Sequence, residues 1–136
     1  MTSPVPLILV VDDDPGILDA LQMLFESEGY RVQTCAKGDY VESLRDDTGA
    51  LPDVIVLDVL LSGKDGRTIC RRLKSQEATR HIPIVMISAH PAAEQSVKEV
   101  GADAFVAKPF TIDDLLDTVE LLLTRRSGEA RPSPEA

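Results

Sequence analysis

The chain has 136 residues, 43% of them apolar, with 14 basic and 23 acidic residues for a net charge of −9. That length is one ordinary domain, large enough to bury a core without staples. The charge argues against a phosphate-backbone binder, which needs a basic patch. No apolar run approaches the ~20 residues of a membrane helix, and MTSPVPLIL carries no basic leader, so a cytoplasmic protein with no membrane partner is expected.

In chain order, residues 1–5 form a short extension, and Leu7–Val11 is the first apolar run of strand length. Asp14-Pro15 is a helix N-cap followed by proline at the first helical position. The stripe Ile17, Leu21, Leu24 and Phe25 continues that helix, and Gly29 sits where it should stop. A second strand is expected over Tyr30–Cys35. A weak helix with few apolar positions, Val41 and Leu44 among them, is expected over Lys37–Thr48. The third strand, Val54–Leu57, leads to a helix that Asp65 can cap near Gly66, with Ile69, Leu73 and Cys70 as its apolar stripe. The fourth strand is Ile84–Ile87. Gly101 reads as a helix stop and Ala104–Val106 as the fifth strand.

The last helix begins with a capping-box-like Thr111-Ile-Asp-Asp114. Its stripe is Ile112, Leu115, Leu116, Val119, Leu122 and Leu123. Leu121 lies off that stripe. Residues 127–136, rich in Pro, Ser and Glu, read as a disordered tail or linker stub. Cys35 and Cys70 sit in apolar patterns and read as buried free thiols.

Five strand–helix units in series predict an α/β domain over residues 6–126, with a doubly wound, five-stranded parallel sheet. The middle strands are apolar on both faces, as burial between two helical layers requires. Ligands in such sheets bind beyond the carboxyl ends of the strands, where the strand order reverses. There the polar residues collect: Asp12 and Asp13 after the first strand, Asp58 after the third, Ser88 after the fourth, Lys108-Pro109 after the fifth. With strand order 2-1-3-4-5 they converge.

Three consecutive carboxylates at a strand end need compensation. Two unit charges about 4 Å apart at an effective dielectric of 20 cost roughly 4 kcal/mol. A bound cation supplies it. All the candidate ligands are hard oxygens, which suits Mg²⁺. A cation, a hydroxyl and an ammonium around one carboxylate make a place for a phosphoryl group, and a carboxylate can itself be the nucleophile.

The motifs VVDDDP at 10–15, LDVLLSGKDG at 57–66, ISA at 87–89 and KPF at 108–110 resemble those of the CheY-like receiver domains of two-component response regulators, a flavodoxin-like (βα)5 family. The likeness runs from residue 6 to about 124. It implies that Asp58 accepts a phosphoryl group from a sensor histidine kinase or phosphotransfer protein. It implies Mg²⁺, with Mn²⁺ as an alternative, on Asp12, Asp13, Asp58 and the backbone carbonyl of Leu60. Ser88 and Phe105 correspond to the switch pair, Lys108 to the lysine that pairs with the phosphoryl group, and Lys108–Pro109 to a cis bond. Asp14 is read as a cap and not a ligand.

The resemblance further implies a signalling domain whose chemistry is self-phosphotransfer and slow autodephosphorylation. The face formed by the helix after the fourth strand, the fifth strand and the last helix would meet a downstream protein or a second copy. Direct nucleic-acid binding is not expected. Past residue 126 nothing is long enough for an output domain, so the domain acts alone or is the receiver piece of a longer chain.

Ser62 departs from the family's usual proline, which loosens the loop after Asp58. Leu60 and His90 occupy positions bordering the phosphoryl group, where Leu60 could shield it from water and His90 could titrate near neutrality. His81 has no role. Two other readings compete. Asp12 and Asp14 form a D-x-D like that of haloacid-dehalogenase-type phosphatases, with Asp12 as nucleophile, although Gly16 stands where that family has Thr or Val. A pseudo-receiver that binds partners without phosphate is the third.

Overall fold

The computed structural model describes residues 5–38, 41, 44, 51–61, 63–90 and 92–128, with side chains to residue 125. Five parallel strands form one sheet: β1 Leu7–Val11, β2 Arg31–Cys35, β3 Val54–Asp58, β4 Ile84–Ser88 and β5 Ala104–Ala107, in the order β2-β1-β3-β4-β5. Four helices are described: α1 Pro15–Ser27, α2 Gly66–Ser75, α3 Ala93–Glu99 and α4 Ile112–Gly128. None is long and apolar enough to cross a membrane.

The two-residue side-chain period of the strands divides the core in two. Leu9, Val11, Ile55, Leu57, Ile84 and Met86 face one layer, where Ile69, Cys70 and Leu73 of α2 and Val97 of α3 cover them. Ile8, Val10, Val54, Val56, Val85 and Ile87 face the other, beneath Leu18, Leu21 and Phe25 of α1 and Leu115, Val119 and Leu122 of α4. Each such side chain contributes about 1.5–3 kcal/mol when buried. All five residues of β1, β3 and β4 are buried, while the edge strand β2 has none.

The helix ends follow the expected chemistry. Asp14 accepts the Gly16 N–H at 2.9 Å, with Pro15 behind it. Asp65 caps α2 through the Arg67 N–H at 2.9 Å. Thr111 Oγ1 accepts the Asp114 N–H at 3.0 Å at the start of α4. Gly29 and Gly101 have φ of 93° and 96°, the left-handed region in which a side chain is strained. The far edge of the sheet is held by a polar cluster: Lys74 Nζ donates to Ile82 O and to Asp103 Oδ2, each at 2.8 Å, and Asp103 Oδ2 accepts the Ile84 N–H at 2.8 Å.

Several details differ from the sequence reading. β3, β4 and β5 each run one residue further than expected, so Asp58 and Ser88 end their strands and do not follow them. Leu60–Leu61 and Lys64–Asp65 form a small antiparallel ladder, too short to leave a periodic signal. Cys70 is buried, but Cys35 is only half-buried, because the edge strand lacks a neighbour; its thiol donates to the Lys37 carbonyl at 2.9 Å. Most of the helix expected over Lys37–Thr48 lies outside the described residues, though Val41 and Leu44 are buried in the core. Residues 1–4 and 129–136, which hold most of the expected extension and tail, also lie outside them.

Candidate functional site

The site is built at the carboxyl ends of four parallel strands. β1 and β3 are neighbours, with Val11 opposite Leu57, so the residues just beyond them meet. Asp12, Asp13 and Asp58 each bring a carboxylate oxygen to within 4.8 Å of the others. β4 lies beside β3 and carries Ser88 at its end. β5 lies beside β4 and delivers Lys108. The Lys108–Pro109 bond is cis, as expected.

Asp12 is buried at 2% exposure and Asp58 at 7%, whereas Asp13 is exposed. Asp12 Oδ1 accepts the Asp14 N–H at 2.9 Å, which fixes the carboxyl plane. Lys108 Nζ stands 3.4 Å from Asp12 Oδ2 and 3.5 Å from Asp58 Oδ1, a cation shared by two buried carboxylates. Asp58 remains above the ordinary carboxylate pKa. Burial is the main cause and the neighbouring Asp12 charge the second, and Lys108 and a backbone hydrogen bond from Leu60 offset them only in part. An Asp held in this way gains from any further positive charge in the cleft.

Ser88 is buried, and its Oγ accepts the His90 N–H at 3.0 Å. Lys108 N–H donates to the Ser88 carbonyl at 2.8 Å, tying the two strand ends together. Phe105 is half-buried and packs against the core layer that holds α3. Leu60, at 55% exposure, and His90 both face solvent. Asp14 is engaged as the α1 cap.

Gly66 is a site-shaping residue that the sequence marked only as a helix start. A Cβ there would lie 2.2 Å from the Asp58 backbone oxygen, so the start of α2 approaches the acceptor strand as only glycine permits. The available signal was a poor helix former placed directly behind an N-cap.

Three hard oxygen donors from carboxylates, clustered within one ligand shell's reach, suit a Mg²⁺ ion that keeps part of its water. The absence of His or Cys from the cluster disfavours softer metals. Open oxygen positions beside an ammonium also suit a phosphoryl group.

Residues 8–120 match the family model of the response regulator receiver domain. The chain is 37% identical over 122 residues, 88% of its length, to the DNA-binding dual master transcriptional regulator RpaA of Synechocystis, covering 50% of that protein. It thus spans about half the length of the curated relatives it matches. Among solved structures, a putative response regulator from Chloroflexus aurantiacus superposes with a TM-score of 0.82 at 32% identity, over 90% of this chain and 100% of that one. The receiver domain of a sensor histidine kinase from Pseudomonas aeruginosa, which has a magnesium ion coordinated in its active site cleft, superposes with a TM-score of 0.74 at 26% identity, over 88% of this chain and 98% of that one. With its motifs, strand order and polar cleft in agreement, the chain belongs to the response regulator receiver domain family.

Proposed function

We propose that Asp58 takes a phosphoryl group from a phosphohistidine on a sensor histidine kinase or phosphotransfer protein. The observation that carries this reading is the meeting of Asp12, Asp13 and Asp58 within 4.8 Å, with Lys108 Nζ 3.5 Å from Asp58. A carboxylate oxygen of Asp58 attacks phosphorus, the P–N bond to the imidazole breaks as the P–O bond forms, and the histidine nitrogen keeps the electron pair. Asp12, Asp13, Asp58 and the Leu60 carbonyl would hold Mg²⁺, or Mn²⁺ in its place, and that ion would offset negative charge on the phosphoryl oxygens.

Lys108 pairs with a phosphoryl oxygen. Ser88 exchanges its bond to the His90 N–H for one to the phosphoryl group, and its loop moves inward. Phe105 packs in the layer beneath α3 and follows, so the face of α3, β5 and α4 changes shape for a protein target or a second copy. Leu60 and His90 stand exposed beside this chemistry and set how long the acyl phosphate survives water. The domain is a switch whose own chemistry is phosphotransfer and slow self-hydrolysis, with no direct nucleic-acid contact.

Incubation with labelled phosphoramidate and Mg²⁺ tests the reading. Label should enter the parent and Asp12→Asn variants, more slowly in the latter, and be lost in Asp58→Asn. Label that survives Asp58→Asn but vanishes in Asp12→Asn would make the protein a phosphatase-like enzyme with Asp12 as nucleophile. A parent protein that takes no label from phosphoramidate or any kinase would leave a phosphate-independent binding module.

A further inference from the structure

We propose that Arg67 is a positioning residue, a latch that ties the loop behind Asp58 to helix α3 and opposes the rearrangement of that helix. The inference rests on the phosphoryl-acceptor reading above, but it describes a mechanical route separate from Ser88 and Phe105.

The route begins at Asp58. Two residues on, Leu60 pairs with Asp65 in the small antiparallel ladder, and the Gly66 N–H donates to Val59 O at 2.7 Å. Asp65 is therefore fixed relative to the acceptor. Its carboxylate grips the Arg67 guanidinium in two parallel bonds, Nε to Oδ1 at 2.9 Å and Nη2 to Oδ2 at 2.7 Å. The same Oδ1 caps α2 by accepting the Arg67 N–H. A guanidinium held at two points loses its freedom to rotate. Its remaining edge points out of α2, and Nη1 donates to Ser96 Oγ at 2.9 Å on α3. Ser96 Oγ in turn donates to Ala93 O at 3.0 Å, so its lone pair is oriented towards the arginine.

Helix α3 is the element most easily moved by such a contact. It has seven residues, and Ala92 at its N-cap makes no side-chain bond. Isolated helices this short are unstable in water. A cleft of about 270 Å³, lined in part by Arg67, Arg71, Ser96 and Glu99, separates its polar side from α2. Arg67 thus bridges the cleft on the polar side of α3, while Cys70 Sγ meets Val100 O at 3.8 Å on its buried side. On the other side of α3, Ala93 and Val97 are buried in the layer that also receives Phe105. A shift of α3 therefore needs the Arg67–Ser96 bond to let go and is felt by the Phe105 ring.

The test uses Arg67→Ala, Ser96→Ala and Ser96→Thr in the full chain. Ser96→Ala leaves the Asp65–Arg67 grip and the α2 cap intact, and Ser96→Thr keeps the hydroxyl. Without any phosphodonor, amide exchange over residues 93–99 should quicken about fivefold or more in both alanine variants, stay near the parent rate in Ser96→Thr, and be non-additive in the double alanine variant. Titration with Mg²⁺ and beryllofluoride, followed by amide chemical shifts, should show about 3- to 10-fold tighter binding in the alanine variants, because the latch holds α3 where it now lies. Unchanged exchange, unchanged or weaker beryllofluoride binding, or Ser96→Thr behaving like Ser96→Ala overturns the proposal. If exchange responds as described but even the parent protein is inert to beryllofluoride, the acceptor reading fails while the bridge to α3 stands.

Discussion

Lys108 and Asp12, 96 residues apart in the chain, face each other across the cleft with Nζ 3.4 Å from Oδ2, and the same ammonium lies 3.5 Å from Asp58. One cation thus serves two buried acids, and the balance remains against ionised Asp58, whose pKa is raised by burial and by Asp12. A carboxyl whose pKa rises on folding favours the native state while protonated. That contribution is present below the unfolded-state value, about 3.9, and is lost as pH rises through the folded-state pKa. Ionised Asp58 therefore weakens the fold at neutral pH. Asp58→Asn should stabilise the protein at pH 7 by on the order of 1 kcal/mol in urea denaturation. The gain should shrink as pH falls and the parent carboxyl takes up its proton. A gain independent of pH would contradict this account.

The same imbalance predicts that divalent cations stabilise the fold. Thermal melts should shift upward with MgCl₂, reaching about 2.7 kcal/mol of stabilisation at a hundredfold excess over the dissociation constant. Asp13 is exposed and offers one of the three clustered carboxylate oxygens, so Asp13→Asn should remove most of the shift. Equal shifts in parent and variant would exclude Asp13 as a ligand.

Asp14 provides the matching control. It stands next to the acidic pair but accepts the Gly16 N–H at 2.9 Å. Asp14→Ala should cost about 1 kcal/mol through the lost cap. The Mg²⁺ response of the melt and the labelling of Asp58 should persist. Loss of either would move Asp14 from cap to ligand.

Gly66→Ala should disturb fold and site together. The added methyl would meet the Asp58 carbonyl, which as backbone cannot swing aside. Overpacking of this kind costs about 1–3 kcal/mol. Because the displaced atom belongs to Asp58, phosphoramidate labelling should slow by more than the loss of folded protein explains. A variant with parent stability and parent labelling would mean that α2 tolerates displacement from β3.

Much of this molecule was legible in its residue order. Period-two and period-3.6 apolar patterns are local consequences of burial on one face, so four of the helix and strand boundaries set by Asp14-Pro15, Gly29, Asp65 and Thr111 could be read without coordinates. The parallel sheet followed from the alternation of units, and its strand ends indicated where Asp12, Asp13, Asp58, Ser88 and Lys108 would gather. Helix α3 was less visible because Ala93 and Val97 are too few to make a stripe.

What the sequence by itself determined was which groups stand at the ends of which strands, since that depends on spacing along one chain. Distances between chain segments were decided only by the tertiary structure. The sharing of Lys108 between Asp12 and Asp58, the closeness of Gly66 to the Asp58 carbonyl, and the reach of Arg67 across a cleft to Ser96 all join residues on different elements. Their separations are fixed by how helices pack on a twisted sheet, and no periodicity along the chain encodes them.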